Sequence, residues 1–339
     1  MRRAGNLLGP ATEFAALVKA AQRASRGKRR QSEVNAFYFR LEDELLALQR
    51  EMRTGCWYPG PYRVFQVRDP KERTIAAAPF PDRVVHHALC AAMEPRLEAV
   101  QISDSYACRV GRGTHAAVHR AHGHVRTFRY FLKLDVEKFF ASVDHQILTR
   151  RLTTVIKDKQ FLSCLERIID HPVSGGPSGR GLPVGNLTSQ HFANFYLAGL
   201  DHFIKESLSV GPYLRYMDDL LFFADDTAAL LGWLGACQIY LANELNLRLH
   251  ESATRMGAVR AGVPFLGMRL FPDKVRLSRA SAVRFCRRVK RAERSYLTGS
   301  TSLNTLVDSM NSLTSWARHA NTLAFRRAVL QGEGSGLDA

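Results

Sequence analysis

The chain has 339 residues, 46% of them hydrophobic and 23% charged, which is room for two or three subdomains with a sizeable core and argues against disorder. Its 48 Lys and Arg against 31 Asp and Glu give a formal charge of +17, so a polyanionic partner is expected, a trait that selects a class of partner and no particular reaction. The six cysteines form no Cys-x-x-Cys pair, and no apolar run is long enough to cross a bilayer, so a reducing cytoplasm with no disulfide framework, zinc site or membrane partner is expected.

Residues 12–24 and 33–53 read as helices, with Phe37, Leu41, Leu45, Leu48 and Met52 at helical spacing in the second. Between them Lys28, Arg29 and Arg30 follow Gly27 in a basic turn, either a solvated loop or a phosphate contact; the charge of the whole chain favours the contact. Gly55, Pro59, Gly60 and Pro61 mark a break, after which residues 62–67 and 73–77 read as two strands joined at Asp69-Pro70. Arg63, Arg68, Lys71 and Arg73 surround that turn, which suits a nucleotide triphosphate or an edge hairpin guarded by charge. Residues 82–94 form an amphipathic helix whose His86-His87 pair reads as packing or template contact in preference to a metal site. His115, His119, His122 and His124 have near-ligand spacing, but Arg109, Arg112, Arg120 and Arg126 around them oppose a cation and favour phosphate.

Residues 131–135 read as a short strand with Leu132 and Leu134 on one face and Lys133 and Asp135 on the other. A helix begins after the turn at 136–140, and residues 145–170 are helical. The Gly- and Pro-rich loop 172–185 lacks the Lys-Ser/Thr of a phosphate-binding P-loop, which excludes that kind of ATPase, and it leads into a helix over 187–204. In residues 212–226 two aromatic-rich arms flank Asp218-Asp219, the pattern of an inner β-hairpin with both acids at its tip. Adjacent acids there are also ordinary turn chemistry, so the pair needs a partner, and Asp135 at a strand end supplies one. If the two elements lie side by side, three carboxylates can hold two divalent ions about 3.5–4 Å apart, which suits phosphoryl transfer. Asp225-Asp226 caps a helix over 227–245, and a strand pair follows at 262–270. Residues 279–330 are helical, with a basic stripe of Arg284, Arg287, Arg288, Arg291 and Arg294 beside an apolar one of Val283, Cys286, Val289 and Tyr296.

The blocks at 131–140 (FLKLDVEKFF), 181–197 (GLPVGNLTSQHFANFYL), 216–219 (YMDD) and 265–270 (FLGMRL), in this order and spacing, resemble the motif series of reverse transcriptases. Within that group the chain is most similar to the enzymes of diversity-generating retroelements, and the likeness extends to 27–30 (GKRR), 82–90 (DRVVHHALC) and 106–118 (YACRVGRGTHAAV). The resemblance implies an α+β right-hand polymerase with an antiparallel palm sheet and a helical thumb. Its parts would be a basic N-terminal helical extension over 1–36, fingers over 37–128 and a palm over 129–272 with a helical excursion near 145–180. A thumb over 273–330 and a disordered tail over 331–339 would follow.

It further implies RNA-directed DNA synthesis from deoxynucleotides by two-metal nucleotidyl transfer, with two Mg²⁺ ions, Mn²⁺ able to substitute, held by Asp135, Asp218, Asp219 and the Val136 carbonyl. Arg73, flanked by Arg68 and Lys71, falls where the family binds the triphosphate, and Phe140 where an aromatic gate excludes a 2′-hydroxyl. Val184 and Gly185 fall at the nucleotide. Lys28, Arg29, Arg30, Arg109, Arg112 and Gln190 fall on the nucleic acid, and Arg284, Arg287, Arg288 and Arg291 on the product duplex. Val184 stands where retroviral and group II intron enzymes carry Gln, a departure shared with the diversity-generating group and associated there with poor copying of template adenines. Ala253 stands where many relatives carry a lysine that assists the leaving pyrophosphate, which leaves Arg255 as the nearby basic residue. The implied partners are an RNA template, the RNA/DNA duplex, a small basic accessory protein and a cognate non-coding RNA. An antiphage defence enzyme shares this chemistry, and a non-catalytic RNA-binding scaffold would need no acid triad. A group II intron maturase is disfavoured because only about a thumb's length follows Leu270.

Overall fold

The computed structural model describes residues 3–68, 72–173 and 178–331, and within them the chain forms two compact units. Asp69, Pro70 and Lys71, where the sequence places a turn, lie outside the described residues, as does most of the expected tail.

The first unit comprises Met1–Arg109, Asp135–Val210 and Leu234–Glu251. At its centre is the helix Phe80–Glu98, whose Phe80, Val84, Val85, Ala88, Leu89, Met93 and Leu97 are buried. Burial on so many sides follows from its neighbours, since the helices Phe14–Ala24 and Leu187–His202 both pack against it. The helix expected over 33–53 is two, Ser32–Phe39 and Leu41–Thr54, because Arg40 leaves helical geometry at φ −119°, ψ 34°. Apolar spacing continues across that corner, which is why the sequence reads as one helix. Strands β1 (Arg63–Arg68) and β2 (Glu72–Ala77) form an antiparallel hairpin in which every residue of β1 is exposed. Its base is anchored where the Ala76 N–H donates to the Val184 carbonyl at 3.0 Å.

The second unit comprises Val110–Leu134, Gly211–Trp233 and Ser252–Ala339. Its larger sheet runs β4-β5-β3-β6, from β3 (Tyr130–Asp135), β4 (Tyr213–Tyr216), β5 (Asp219–Ala224) and β6 (Arg255–Ala258); the division between the units falls inside β3, after Leu134. Leu220, Leu221, Phe222 and Phe223 are all fully buried, as their unbroken apolar run requires of a strand covered on both faces. The helix Thr114–Thr127 packs on β4 and β5. A second antiparallel sheet joins β7 (Val263–Phe265), β8 (Met268–Leu270) and β9 (Val275–Leu277). Its first turn places Leu266 and Gly267 at φ 47° and 79°, the mirror-image turn that matches strand twist.

Helices Arg279–Leu297, Leu303–Ala317 and Leu323–Leu330 close the unit around Phe285, Cys286, Val289, Ala317 and Val329. Tyr296, expected on the apolar stripe, is exposed, and Phe285 takes the buried position that completes an i, i+1, i+4 seam with Cys286 and Val289. The class is α+β with antiparallel sheets, as expected. All six cysteines are free thiols, and among the described residues no helix is long and apolar enough to cross a membrane.

Candidate active site

The β4–β5 hairpin pairs Tyr216 with Asp219, leaving Met217-Asp218 as a two-residue turn. Met217 sits at φ 56°, in the left-handed region that favours glycine, a strain of about 1–2 kcal/mol that aims the carboxylates following it. Two side chains to which the sequence analysis gave no role support this tip. Arg215 is completely buried within β4 and donates from its guanidinium to the Met217 carbonyl at 3.0 Å, while the Tyr216 hydroxyl bonds Thr114 Oγ1 at 3.1 Å. An arginine inside an apolar strand was the available signal for the first. Asp219 Oδ1 lies 2.7 Å from Lys133 Nζ of the neighbouring strand β3, with both side chains about four-fifths shielded.

Asp135 is the last residue of β3, on the face that carries Lys133. Its backbone is pinned: the His250 N–H donates to the Asp135 carbonyl at 2.8 Å and the Glu137 N–H to the Arg248 carbonyl at 2.9 Å, around a bridge between Val136 and Leu249. That pattern uses the groups on either side of Val136, so the Val136 carbonyl points away from the Arg248–His250 segment. Three carboxylates and a carbonyl are hard oxygen donors suited to Mg²⁺, and an ammonium already resting on Asp219 shows that this carboxylate takes a cation. Among the described residues no three His, Cys, Asp or Glu side chains stand together as a ready-made metal cluster.

Within the first unit Val184 and Gly185 lie against β2, and Phe140 against the glycine turn. Val184 joins β2 through Ala76, and Gly185, at φ 115°, stands so close to β2 that a Cβ there would meet Ile75 Cγ2 at 2.9 Å. Ile75 is a contact the sequence analysis did not name. The Leu182 N–H donates to the Phe140 carbonyl at 2.7 Å and the Gly181 N–H to the Val143 carbonyl at 2.8 Å, which fixes the glycine turn against the segment after Val136. Phe139 is buried and Phe140 half-buried, their rings 5.7 Å apart edge to face, so Phe139 is the core residue of the pair. His145 bridges this corner from Asp170 Oδ1 at 3.0 Å to the Gly181 carbonyl at 2.8 Å. Behind β2 is a cavity of ≈ 330 Å³, lined among others by Thr74, Ala76, Ala141 and His171. Arg73 is exposed, and Arg68 is exposed with Glu72 as an ion-pair partner at 3.3 Å.

The basic residues divide. Lys28, Arg29, Arg30, Arg112, Arg287, Arg288 and Arg291 are exposed, with Arg284 and Gln190 half-buried. Arg109 is corrected: its side chain is 7% exposed and its guanidinium is engaged by Glu98 at 2.5 Å and by the carbonyls of Ile102 and Ser105 at 2.7 and 2.6 Å. It therefore staples a turn and has no face left for phosphate.

The histidines behave as packing groups. His115 stacks on His319, and His122 Nε2 bonds the Phe271 carbonyl at 2.9 Å. Burial pushes the His86 imidazole down to about 3 and that of His87 down to about 4, so both are neutral near pH 7. Asp226 accepts from the N–H groups of Ala228 and Ala229, which makes it the helix cap, and Asp225 accepts from the Arg129 N–H at 3.0 Å.

Antiparallel sheets set among many helices make this an α+β fold consistent with that of a polymerase. The family described as "Reverse transcriptase (RNA-dependent DNA polymerase)" matches residues 68–270, and the chain belongs to that family of RNA-directed DNA polymerases. Protein YkfC of Escherichia coli strain K12 is 26% identical over 281 residues, which are 70% of this chain and 74% of that protein. The group II intron-encoded protein LtrA of Lactococcus lactis subsp. cremoris is 24% identical over 172 residues, 49% of this chain but only 29% of that protein. Telomerases of Candida albicans and Candida tropicalis, each solved with a fragment of telomeric RNA, share the fold at a TM-score of 0.50 and 9% and 11% identity. The likeness covers 75% and 84% of this chain, which spans 54% and 58% of those telomerases.

Proposed function

We propose that the chain copies an RNA template into DNA at a centre built from Asp135, Asp218 and Asp219, with the Val136 carbonyl as a further ligand of two Mg²⁺ ions. The observation that carries this is the sheet order, in which the strand ending in Asp135 neighbours the strand beginning with Asp219 just after the Asp218 turn. Bound Mg²⁺ supplies a lowered pKa for the primer 3′-hydroxyl and charge neutralisation for the departing pyrophosphate. The chain's own residues do the rest. Arg73, with Arg68 and Lys71, holds the triphosphate; Phe140 stands under the sugar; Val184 and Gly185 bound the base pair, with Ile75 behind them. Gln190, Arg112 and Lys28 to Arg30 meet nucleic acid, and Arg284, Arg287, Arg288 and Arg291 grip the product duplex.

The finer reading is the error-prone polymerase of a diversity-generating retroelement, working with a small basic accessory protein and a cognate RNA. Val184 supports it, because an aliphatic side chain offers the nucleotide no hydrogen bond and so loosens selection. An antiphage defence enzyme with the same chemistry is the second reading. The test is primer extension on an RNA template with Mg²⁺ and four deoxynucleotides, for the unsubstituted chain beside Asp218→Asn, with products sequenced. Extension by the unsubstituted chain alone, with errors concentrated opposite adenine, is the expected result. Equal extension by both would remove the catalytic role of Asp218, and a uniform error spectrum would favour the defence reading.

A further inference from the structure

Leu132 and Leu134 of β3 are buried on one face, and Lys133 shares the other face with Asp135. The flanking strands treat it oppositely. On the β6 side its directly opposed partner is Arg255, a like charge that is exposed; on the β5 side is Asp219, whose carboxylate it meets at 2.7 Å. The electrostatic minimum of the ammonium therefore lies toward Asp219, and with only 20% and 22% of the two side chains exposed the pair is shielded from solvent.

Accepting the carboxylate centre described above, we propose that Lys133 is its built-in counter-cation: the ammonium holds Asp219 until a divalent ion displaces it, and so sets how tightly that ion binds. Clustered carboxylates repel one another when no cation is present, and an internal ammonium relieves this in the folded chain without needing metal. The same contact acts as a competitor. A carboxylate committed to Lys133 is withdrawn from metal, so the apparent metal affinity falls by the fraction of molecules in which the pair is formed. Lys133 is thus a positioning residue that acts through Asp219.

The experiment measures Mn²⁺ binding by electron paramagnetic resonance on the full chain, without substrate, for the unsubstituted protein, Lys133→Met, Asp219→Asn and the double substitution. Lys133→Met is expected to bind Mn²⁺ about three- to tenfold more tightly, to melt at a lower temperature without metal, and to gain more on metal saturation. In the Asp219→Asn background the Lys133→Met effect is expected to vanish, since the cycle isolates the pair. Lys133→Arg keeps the charge and the fold, and is expected to bind within about twofold of the unsubstituted chain. Unchanged or weaker binding by Lys133→Met, tightening that persists in the Asp219→Asn background, or clear tightening by Lys133→Arg would each overturn the proposal. If the unsubstituted chain binds no Mn²⁺ at all, the carboxylate centre itself fails, a result distinct from an intact centre indifferent to Lys133.

Discussion

The Ala76 N–H donates to the Val184 carbonyl at 3.0 Å, so the exposed β1–β2 hairpin hangs from the glycine turn. One residue further on, Gly185 occupies φ 115° with Ile75 Cγ2 only 2.9 Å from where a Cβ would be. Gly185→Ala would have to push back β2 from within its anchor. It is expected to lose about 1–3 kcal/mol in urea denaturation. It is also expected to raise the deoxynucleotide KM more than it lowers kcat, since the hairpin carries Arg73. A KM unchanged beside a lowered kcat would mean that the hairpin does not meet the nucleotide.

Arg109 and Arg287 look alike in the sequence and are opposites in the structure. Arg109 closes a turn through Glu98 and two carbonyls, whereas Arg287 is exposed on the helix Arg279–Leu297. Arg109→Ala is expected to cost about 2–4 kcal/mol of stability, because it leaves carbonyls unpaired, and to leave affinity for an RNA/DNA duplex unchanged. Arg287→Ala should stay within about 0.5 kcal/mol in stability. Its duplex affinity should fall, with the slope of log affinity against log salt reduced by about 1. Denaturant midpoints and fluorescence anisotropy at several salt concentrations separate the two.

This pair also shows what the sequence could convey. The β4–β5 hairpin was legible because four consecutive apolar residues, Leu220 to Phe223, follow an acidic pair, a pattern few other structures accommodate. Asp226 was legible as a cap because its partners lie two and three residues on. What could not be read depends on distant partners or on one dihedral. Arg109 finds Glu98 across a turn, Lys133 finds Asp219 from another strand, and the corner at Arg40 interrupts a periodicity that continues on both sides. Tyr296 was misplaced because a stripe drawn at helical spacing does not show where the neighbouring helices end.

Asp82 makes stability depend on pH. Burial raises its carboxyl from an ordinary 3.8 to about 6, against the opposing pull of the Gly60 N–H, 2.7 Å away, and of Trp57. The folded chain therefore binds a proton that the unfolded chain releases between pH 3.8 and about 6, and the stability this group contributes falls as pH rises through that window. Asp82→Asn keeps an acceptor for Gly60 and cannot ionise. The stability difference, variant minus unsubstituted chain, is expected to grow from pH 4 to 6 and then level off. A difference independent of pH would show that Asp82 is not held protonated by its surroundings.

Phe139 and Phe140 divide two tasks between neighbouring rings. Phe139 is fully packed, whereas Phe140 is half-buried and its backbone carbonyl is held by Leu182 in the glycine turn, so Phe140 is the ring we propose to meet a nucleotide sugar. Exclusion of a 2′-hydroxyl by collision needs bulk and no hydrogen bond, so trimming the ring should remove it. Phe140→Ala is expected to lower the preference for deoxynucleotides over ribonucleotides by about ten- to a hundredfold, roughly 1.4–2.8 kcal/mol, with stability little changed. Phe139→Ala is expected to cost about 3–5 kcal/mol of stability as a cavity in the core and to leave the preference of the surviving folded enzyme as it was. Competitive extension with mixed deoxy- and ribonucleotides, read beside denaturation of both variants, decides the assignment. If Phe139→Ala relaxes the preference and Phe140→Ala does not, the gate has been placed one residue too late.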